Sequence, residues 1–230
     1  METDQTVVER WDYLGDRAIM AYCSSEAACA RFARSVQQQN FPWLLDVVPS
    51  YFTVGVFYDL AAISPFEALK LLQQITVQSD DHLSATRHTI PCCYEMALDA
   101  ERVCQHTRLS FPEVVRLHSG TIYQVYAIGF CPGFPYLGYL PAELAGIPRL
   151  ESPRLALPAG SVGLTGRQTG IYPLPRPGGW NIIGQTPLCL VDVEDNYFPL
   201  SVGDQVQFQP IDRDTYEQLL GQRLAIQQVV

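Results

Sequence analysis

The period of apolar positions changes several times along this chain, and each change marks an element. From Val7 to Tyr22 the run VVERWDYLGDRAIMAY gives two short strands around Gly15-Asp16, a dipeptide suited to a hairpin turn. Ser24 or Ser25 then caps a helix through about Gln38, with Ala27, Ala28, Ala30, Phe32, Ala33 and Val36 on its apolar face. Glu26 lies in its first turn, where the helix dipole favours an acid. LLDVVPSYFTVGVFY supplies two further strands, broken at Pro49-Ser50. A second helix starts after Ser64-Pro65, with Glu67 near its start and Ala68, Leu69, Leu71, Leu72 and Ile75 turned inward. The order ββαββα predicts a small α+β domain over residues 1–82, helices on one face of an antiparallel sheet, with the polar run Gln78–Ala85 as linker.

Residues 83–230 are patterned differently. RHTIPCCY is a strand, followed by helices from Glu95 to about Cys104 and from Phe111 to His118, the second capped by Ser110 with Pro112 and Glu113 in its first turn. TIYQVYAIGF is a strand again. Short β segments and turns then continue to LCLVDVE, a PLSVGDQVQFQP hairpin, and a helix from Asp212 to about Leu220. Many short strands with regular turn signals predict a mainly-β domain, a closed or nearly closed barrel with helices at its ends.

Composition sharpens one region. Of 17 prolines and 16 glycines, 10 and 11 fall between Gly129 and Pro187, which excludes long helices there and demands fixed turns. Phe130, Phe134, Tyr136, Tyr139, Tyr172 and Trp180 are interleaved with those turns, so large apolar side chains anchor the segment. The chain carries a formal charge of −9, yet residues 121–190 hold four arginines (Arg149, Arg154, Arg167, Arg176) against two acids. Arginine suits forked recognition of carboxylate or phosphate, although tying loops together through carbonyl oxygens is an equally ordinary role.

Several classes are excluded. An acidic chain lacks the extended basic face that nucleic acid requires. No segment reaches the roughly 18 apolar residues of a membrane span and the N-terminus does not resemble a secretory leader, so a soluble, cytoplasmic protein is expected. Seven cysteines without CxxC spacing read as free thiols in a reducing compartment. No metal site is predicted. GSVGLTG at 160–166 is neither GxGxxG nor a phosphate loop, and the chain's one lysine, Lys70, lies far from it, so no ATP motif is encoded. There is no GxSxG elbow, and no histidine follows Ser161.

A binding cleft remains. Gln168-Thr169-Gly170 offers an amide and a hydroxyl beside a glycine, Tyr172 and Trp180 offer flat walls, and the arginines offer anion capture. Each also has a plain structural reading, as strand, core aromatic or backbone-satisfying residue. His118 is either a general acid or base or a C-terminal cap of its helix, the cap being the default.

Three stretches, LHSGTIYQVYAIGFCPGFPYLGYLP, PRLESPRLALPAGSVGLTGRQTGIYP and PGGWNIIGQTP, with a GDQVQF close at 203–208, strongly resemble the family of the 5-oxoprolinase B-subunit, also known as KipI or allophanate hydrolase subunit 1. The resemblance is dense over about 88–208. It implies a small N-terminal α+β domain before a cyclophilin-like β-barrel. It also implies partnership with the C-subunit, a homologous barrel protein, and with the A-subunit in ATP-dependent opening of 5-oxo-L-proline to L-glutamate, the isolated chain being inactive. Two alternatives come with the family: inhibition of a sensor histidine kinase, and a carboxyltransferase-like role in an allophanate hydrolase or urea carboxylase system. The motif residues implied for the cleft are His118, Gln168 and Thr169 as catalytic groups, and Arg154, Phe134, Tyr136, Ser161, Tyr172 and Trp180 as contacts to a small carboxylate substrate. In that scheme Arg154 holds the carboxylate, Gln168 and Thr169 orient the lactam, and His118 shuttles a proton. The chain departs from the family pattern twice. YEMALDA at 94–100 stands where members often read YGGxxGPDL, and Gln185 stands where many have Arg or His before TP.

Overall fold

The computed structural model describes residues 7–77 and 86–224. The chain divides into two units, Met1–Leu83 and Ser84–Val230; the predicted linker Gln78–Ala85 lies outside the described residues. No helix among the described residues is long and apolar enough to cross a membrane.

The first unit contains β1 (Val8–Leu14), β2 (Ala18–Cys23), helix α1 (Glu26–Gln38), β3 (Leu44–Ser50), β4 (Thr53–Tyr58) and helix α2 (Pro65–Gln73). The strands form one antiparallel sheet in the order β1-β2-β4-β3. Ile19, Ala21 and Cys23 alternate inward from β2, as do Val54, Val56 and Tyr58 from β4. They meet Ala28, Phe32, Ala33 and Val36 of α1 and Ala68 and Leu72 of α2 in one core, each large side chain contributing about 1.5–3 kcal/mol of burial. Both helices begin as their sequences demand: Ser25 accepts from the Ala28 amide, and Ser64 with Glu67 forms a reciprocal capping box. The expected break at Pro49-Ser50 falls two residues later. Pro49 pairs with Val54 inside β3, and the turn is Tyr51-Phe52, Tyr51 having φ 52°. β3 is an edge strand, where a proline's missing amide costs the ladder little.

The second unit contains β5 (Arg87–Cys93), a 3-10 turn Tyr94–Met96, helices α3 (Ala100–Thr107) and α4 (Phe111–Ser119), β6 (Ile122–Ile128), β7 (Pro135–Gly138), β8 (Arg154–Leu157), β9 (Ser161–Thr165), β10 (Gln168–Ile171), β11 (Arg176–Gly178), β12 (Asn181–Gln185), β13 (Gln205–Ile211) and α5 (Arg213–Leu219). Seven strands close into a barrel in the order β10-β7-β6-β13-β5-β12-β9, while β8 and β11 pair separately. All barrel neighbours are antiparallel except β13 and β5. Ile90, Cys92, Tyr123, Val125, Leu137, Val162, Leu164, Ile171, Ile183, Val206 and Phe208 fill the barrel with Val103 of α3 and Val114 of α4. β9 and β10 turn back through Gly166-Arg167, where Gly166 supplies the positive φ, 54°, that a two-residue loop favours.

Three expectations are corrected here. The helix expected from Glu95 begins at Ala100, because Leu98 and Asp99 both donate their amides to the Ile182 carbonyl and hold this segment against β12. LCLVDVE is not a strand: Cys189 and Asp192 make only isolated bridges, and the barrel closes without them. PLSVGDQVQFQP contributes a single strand from Gln205 onward rather than a hairpin, and both sides of that strand, β13, are taken by β5 and β6.

Candidate functional site

Outside the barrel wall, Phe134 is the hub of an aromatic cluster. The rings of Tyr136, Tyr172, Trp180 and Phe130 meet it edge-on with centroids 4.9, 5.1, 5.4 and 5.4 Å away. Phe134, Tyr172 and Trp180 form a small core of their own with Leu157 and Ile182. Above them the turn-rich segment folds over to enclose a pocket of about 230 Å³ lined by Phe130, Phe134, Tyr136, Arg149, Pro153, Tyr172, Pro177, Gly178, Gly179 and Trp180. Glycine at 178 is required by packing, because a Cβ there would stand 2.4 Å from the Tyr172 hydroxyl. Burial raises the phenol pKa of both Tyr136 and Tyr172, with Arg149 pulling the other way. Both hydroxyls therefore remain protonated donors at neutral pH. The lining holds one guanidinium, two phenols and no carboxylate, a composition that accepts a small anion with a flat apolar body.

The other predicted residues lie elsewhere. His118 is fully buried in the barrel, pushed there by α4 and stacked on Phe208 at 4.5 Å. Its Nδ1 accepts from the Tyr94 hydroxyl at 2.7 Å, its Nε2–H donates to Thr169 Oγ1 at 2.9 Å, and Thr169 donates in turn to the Gly163 carbonyl at 3.1 Å. Every polar atom in this chain of bonds is matched, and burial pushes the imidazole pKa down to about 3. The ring is thus neutral and sealed from solvent, a geometry that suits packing and not the expected proton shuttle. Thr169 is equally buried and faces His118. Gln168, beside it on β10, is half-buried.

Arg154 is not in the aromatic pocket. It forks onto Asp99, Nη2 to Oδ1 at 2.7 Å and Nη1 to Oδ2 at 3.0 Å, and Asp99 Oδ2 also accepts the Ile182 amide at 2.7 Å. That arrangement ties β8 and the start of α3 to β12 and occupies the cation that was expected to hold substrate. Ser161 donates to the Pro158 carbonyl at 2.8 Å and lines a different groove, with Glu95, Gln185 and Arg213. Four of the nine predicted residues, Phe134, Tyr136, Tyr172 and Trp180, are therefore gathered around one pocket. Among the described residues no group of three or more His, Cys, Asp or Glu is placed to hold a metal ion.

Residues 10–200 match the family model described as carboxyltransferase domain, subdomain C and D. The 5-oxoprolinase B-subunit of Bacillus subtilis (strain 168) is 36% identical over 232 residues, covering 92% of this chain and 96% of the relative. The protein of the same description from Escherichia coli O157:H7 is 41% identical over 175 residues, 74% of this chain and 80% of that one. The chain belongs to the 5-oxoprolinase B-subunit family. The crystal structure of Kluyveromyces lactis urea carboxylase superimposes with a TM-score of 0.71 at 16% identity, over 91% of this chain and 22% of that much longer enzyme, a likeness of fold.

For this member of the 5-oxoprolinase B-subunit family, the cleft residue missing from the contacts that the resemblance implied is Arg149. It was visible as one of four arginines in the locally cationic stretch. Only the folding of its loop over the aromatic cluster separates it from Arg154, whose charge is spent on Asp99.

Proposed function

We propose that this chain is the substrate-orienting component of an ATP-dependent 5-oxoprolinase, acting with the A- and C-subunits to open 5-oxo-L-proline to L-glutamate. The observation that carries this reading is the aromatic pocket with a single cation and no acid. 5-Oxoproline is a small, flat lactam bearing one carboxylate and no basic nitrogen. Arg149 takes the carboxylate, the role first assigned to Arg154, and Phe134, Tyr172 and Trp180 enclose the ring. The phenol protons of Tyr136 and Tyr172 are donors for the lactam oxygen.

A lactam carbonyl resists water because amide resonance lowers its electrophilicity, and phosphoryl transfer from ATP relieves that resistance. The chain has no nucleotide motif, so in this reading activation belongs to the partner subunits. This chain supplies binding and orientation and is inactive alone. The barrel is read as cyclophilin-like, and the complex as cytoplasmic. Support comes from family membership together with the pocket.

Reconstitution with the A- and C-subunits tests the reading. Replacing Arg149 with Gln removes a charge-assisted contact worth about 2–3 kcal/mol, so kcat/KM for glutamate formation should fall about 30- to 160-fold. Unchanged turnover in both Arg149→Gln and Tyr172→Phe complexes would mean that the pocket is not where substrate binds.

A further inference from the structure

A second groove, about 370 Å³ in volume, lies among the 3-10 turn Tyr94–Met96, strands β9 and β12 and the first residue of α5. Its lining differs in kind from the aromatic pocket. It contains an acid, Glu95, and a cation, Arg213, together with Gln185 and Ser161, over an apolar surface that includes Leu98 and Ile182. Among the described residues neither Glu95 nor Arg213 joins an ion pair. Both nevertheless act on the neighbouring Cys93 thiol: burial pushes it up, the Glu95 amide lowers it, the Glu95 carboxylate raises it and Arg213 lowers it. Two opposite charges thus converge on one region and do not neutralise each other.

The neutral groups are also set. Gln185 donates one of its two amide hydrogens to the Ala159 carbonyl at 2.7 Å, and Ser161 donates its hydroxyl proton to the Pro158 carbonyl at 2.8 Å. Each retains an oxygen that accepts, and Gln185 keeps a second N–H as well. The groove therefore has acceptors and a carboxylate for an ammonium, a fork for a carboxylate, and an apolar surface for a side chain.

We propose that the groove between Glu95 and Arg213 binds a free α-amino acid as its zwitterion. The ammonium lies at Glu95 with Ser161 and Gln185 as further acceptors, the carboxylate lies on the Arg213 guanidinium, and the side chain rests against Leu98 and Ile182. The site is independent of the lactam pocket; if ring opening occurs there, its product is a ligand of this class.

The test is a titration of the isotope-labelled full chain, followed by NMR, with L-glutamate, L-leucine and 5-oxo-L-proline as probes. At least one of the two amino acids should shift the amide signals of Leu98, Gly184 and Arg213, and 5-oxoproline, which has no ammonium, should leave them in place. Glu95→Gln and Arg213→Gln, both at exposed positions, should each weaken amino-acid binding at least about tenfold, the value of one lost charge-assisted contact, and Arg149→Gln should not change it. The proposal is overturned if neither amino acid shifts these signals, if 5-oxoproline shifts them equally, or if either charge-removing variant binds as tightly as the parent. Failure of the lactam reading is seen separately, at the Trp180 indole signal, which 5-oxoproline would then leave unmoved.

Discussion

His118 provides a measurement that separates a core histidine from a catalytic one. Burial holds its pKa at about 3, against an ordinary 6.5, and both ring nitrogens are bonded inside the barrel. In the unfolded chain the ring takes a proton near its ordinary pKa. Between the two values the unfolded state binds one more proton than the folded state, so stability is full above pH 6.5, falls as the pH drops, and levels off as the pH passes the folded value. The slope is about 1.4 kcal/mol per pH unit, so two units of acidification cost about 3 kcal/mol, a sizeable share of the roughly 5–15 kcal/mol that holds a domain folded. His118→Gln keeps a donor and an acceptor but does not titrate. Urea unfolding of parent and variant at about pH 7, 5.5 and 4.5, read from the methyl signals of Val162 and Leu164 so that only the barrel is followed, gives the comparison. The variant starts less stable, because an amide does not replace an imidazole stacked on Phe208, but its deficit should shrink by about 3 kcal/mol over the acid range. A deficit constant with pH would show that the ring titrates normally and would refute the sealed-core assignment.

Arg154→Met should destabilise the barrel by about 3–5 kcal/mol, because Asp99 is left buried with its charge unpaired, while Asp99→Asn with Arg154→Met together should recover part of that loss in the same unfolding assay. Gly178→Ala puts a Cβ 2.4 Å from the Tyr172 hydroxyl; a cost of about 1–3 kcal/mol is expected, with loss of the 5-oxoproline response at Trp180, and a stable, ligand-competent variant would contradict the packing described.

Elements with strong local signals were legible in the sequence. Ser25, Ser64 and Ser110 mark helix starts because capping is a contact between neighbours, and the alternation of Ile19, Ala21 and Cys23 marks a buried face because it follows from the strand repeat. What failed depended on distant partners. The start of α3 is delayed by amides bonded to Ile182, more than 80 residues away, and the hairpin expected at 199–210 gives only the strand β13, whose edges β5 and β6 both claim. The candidate site shows the same division. Aromatic residues amid turns identified the pocket's walls, whereas choosing between Arg149 and Arg154 required knowing that Asp99 stands beside the latter. His118 read by default as a helix cap and became catalytic only through the resemblance; its neutrality comes from burial among Tyr94, Thr169 and Phe208, brought to it from three separate segments.

The parallel pairing of β5 with β13 governs how the barrel can be built. Arg87 lies opposite Gln205 and Cys93 opposite Ile211, so the strand that enters the barrel first is held by the one that enters last. β13 also occupies the lane between β5 and β6. Until residues 205–211 are available, those two early strands face each other across a vacant position, each with an unpaired edge. Closure therefore waits on a contact spanning more than 100 residues, which makes this a slow-folding topology. During synthesis the half-made barrel is a body with open strand edges, the kind of intermediate prone to adhere to its own copies until its last strand arrives.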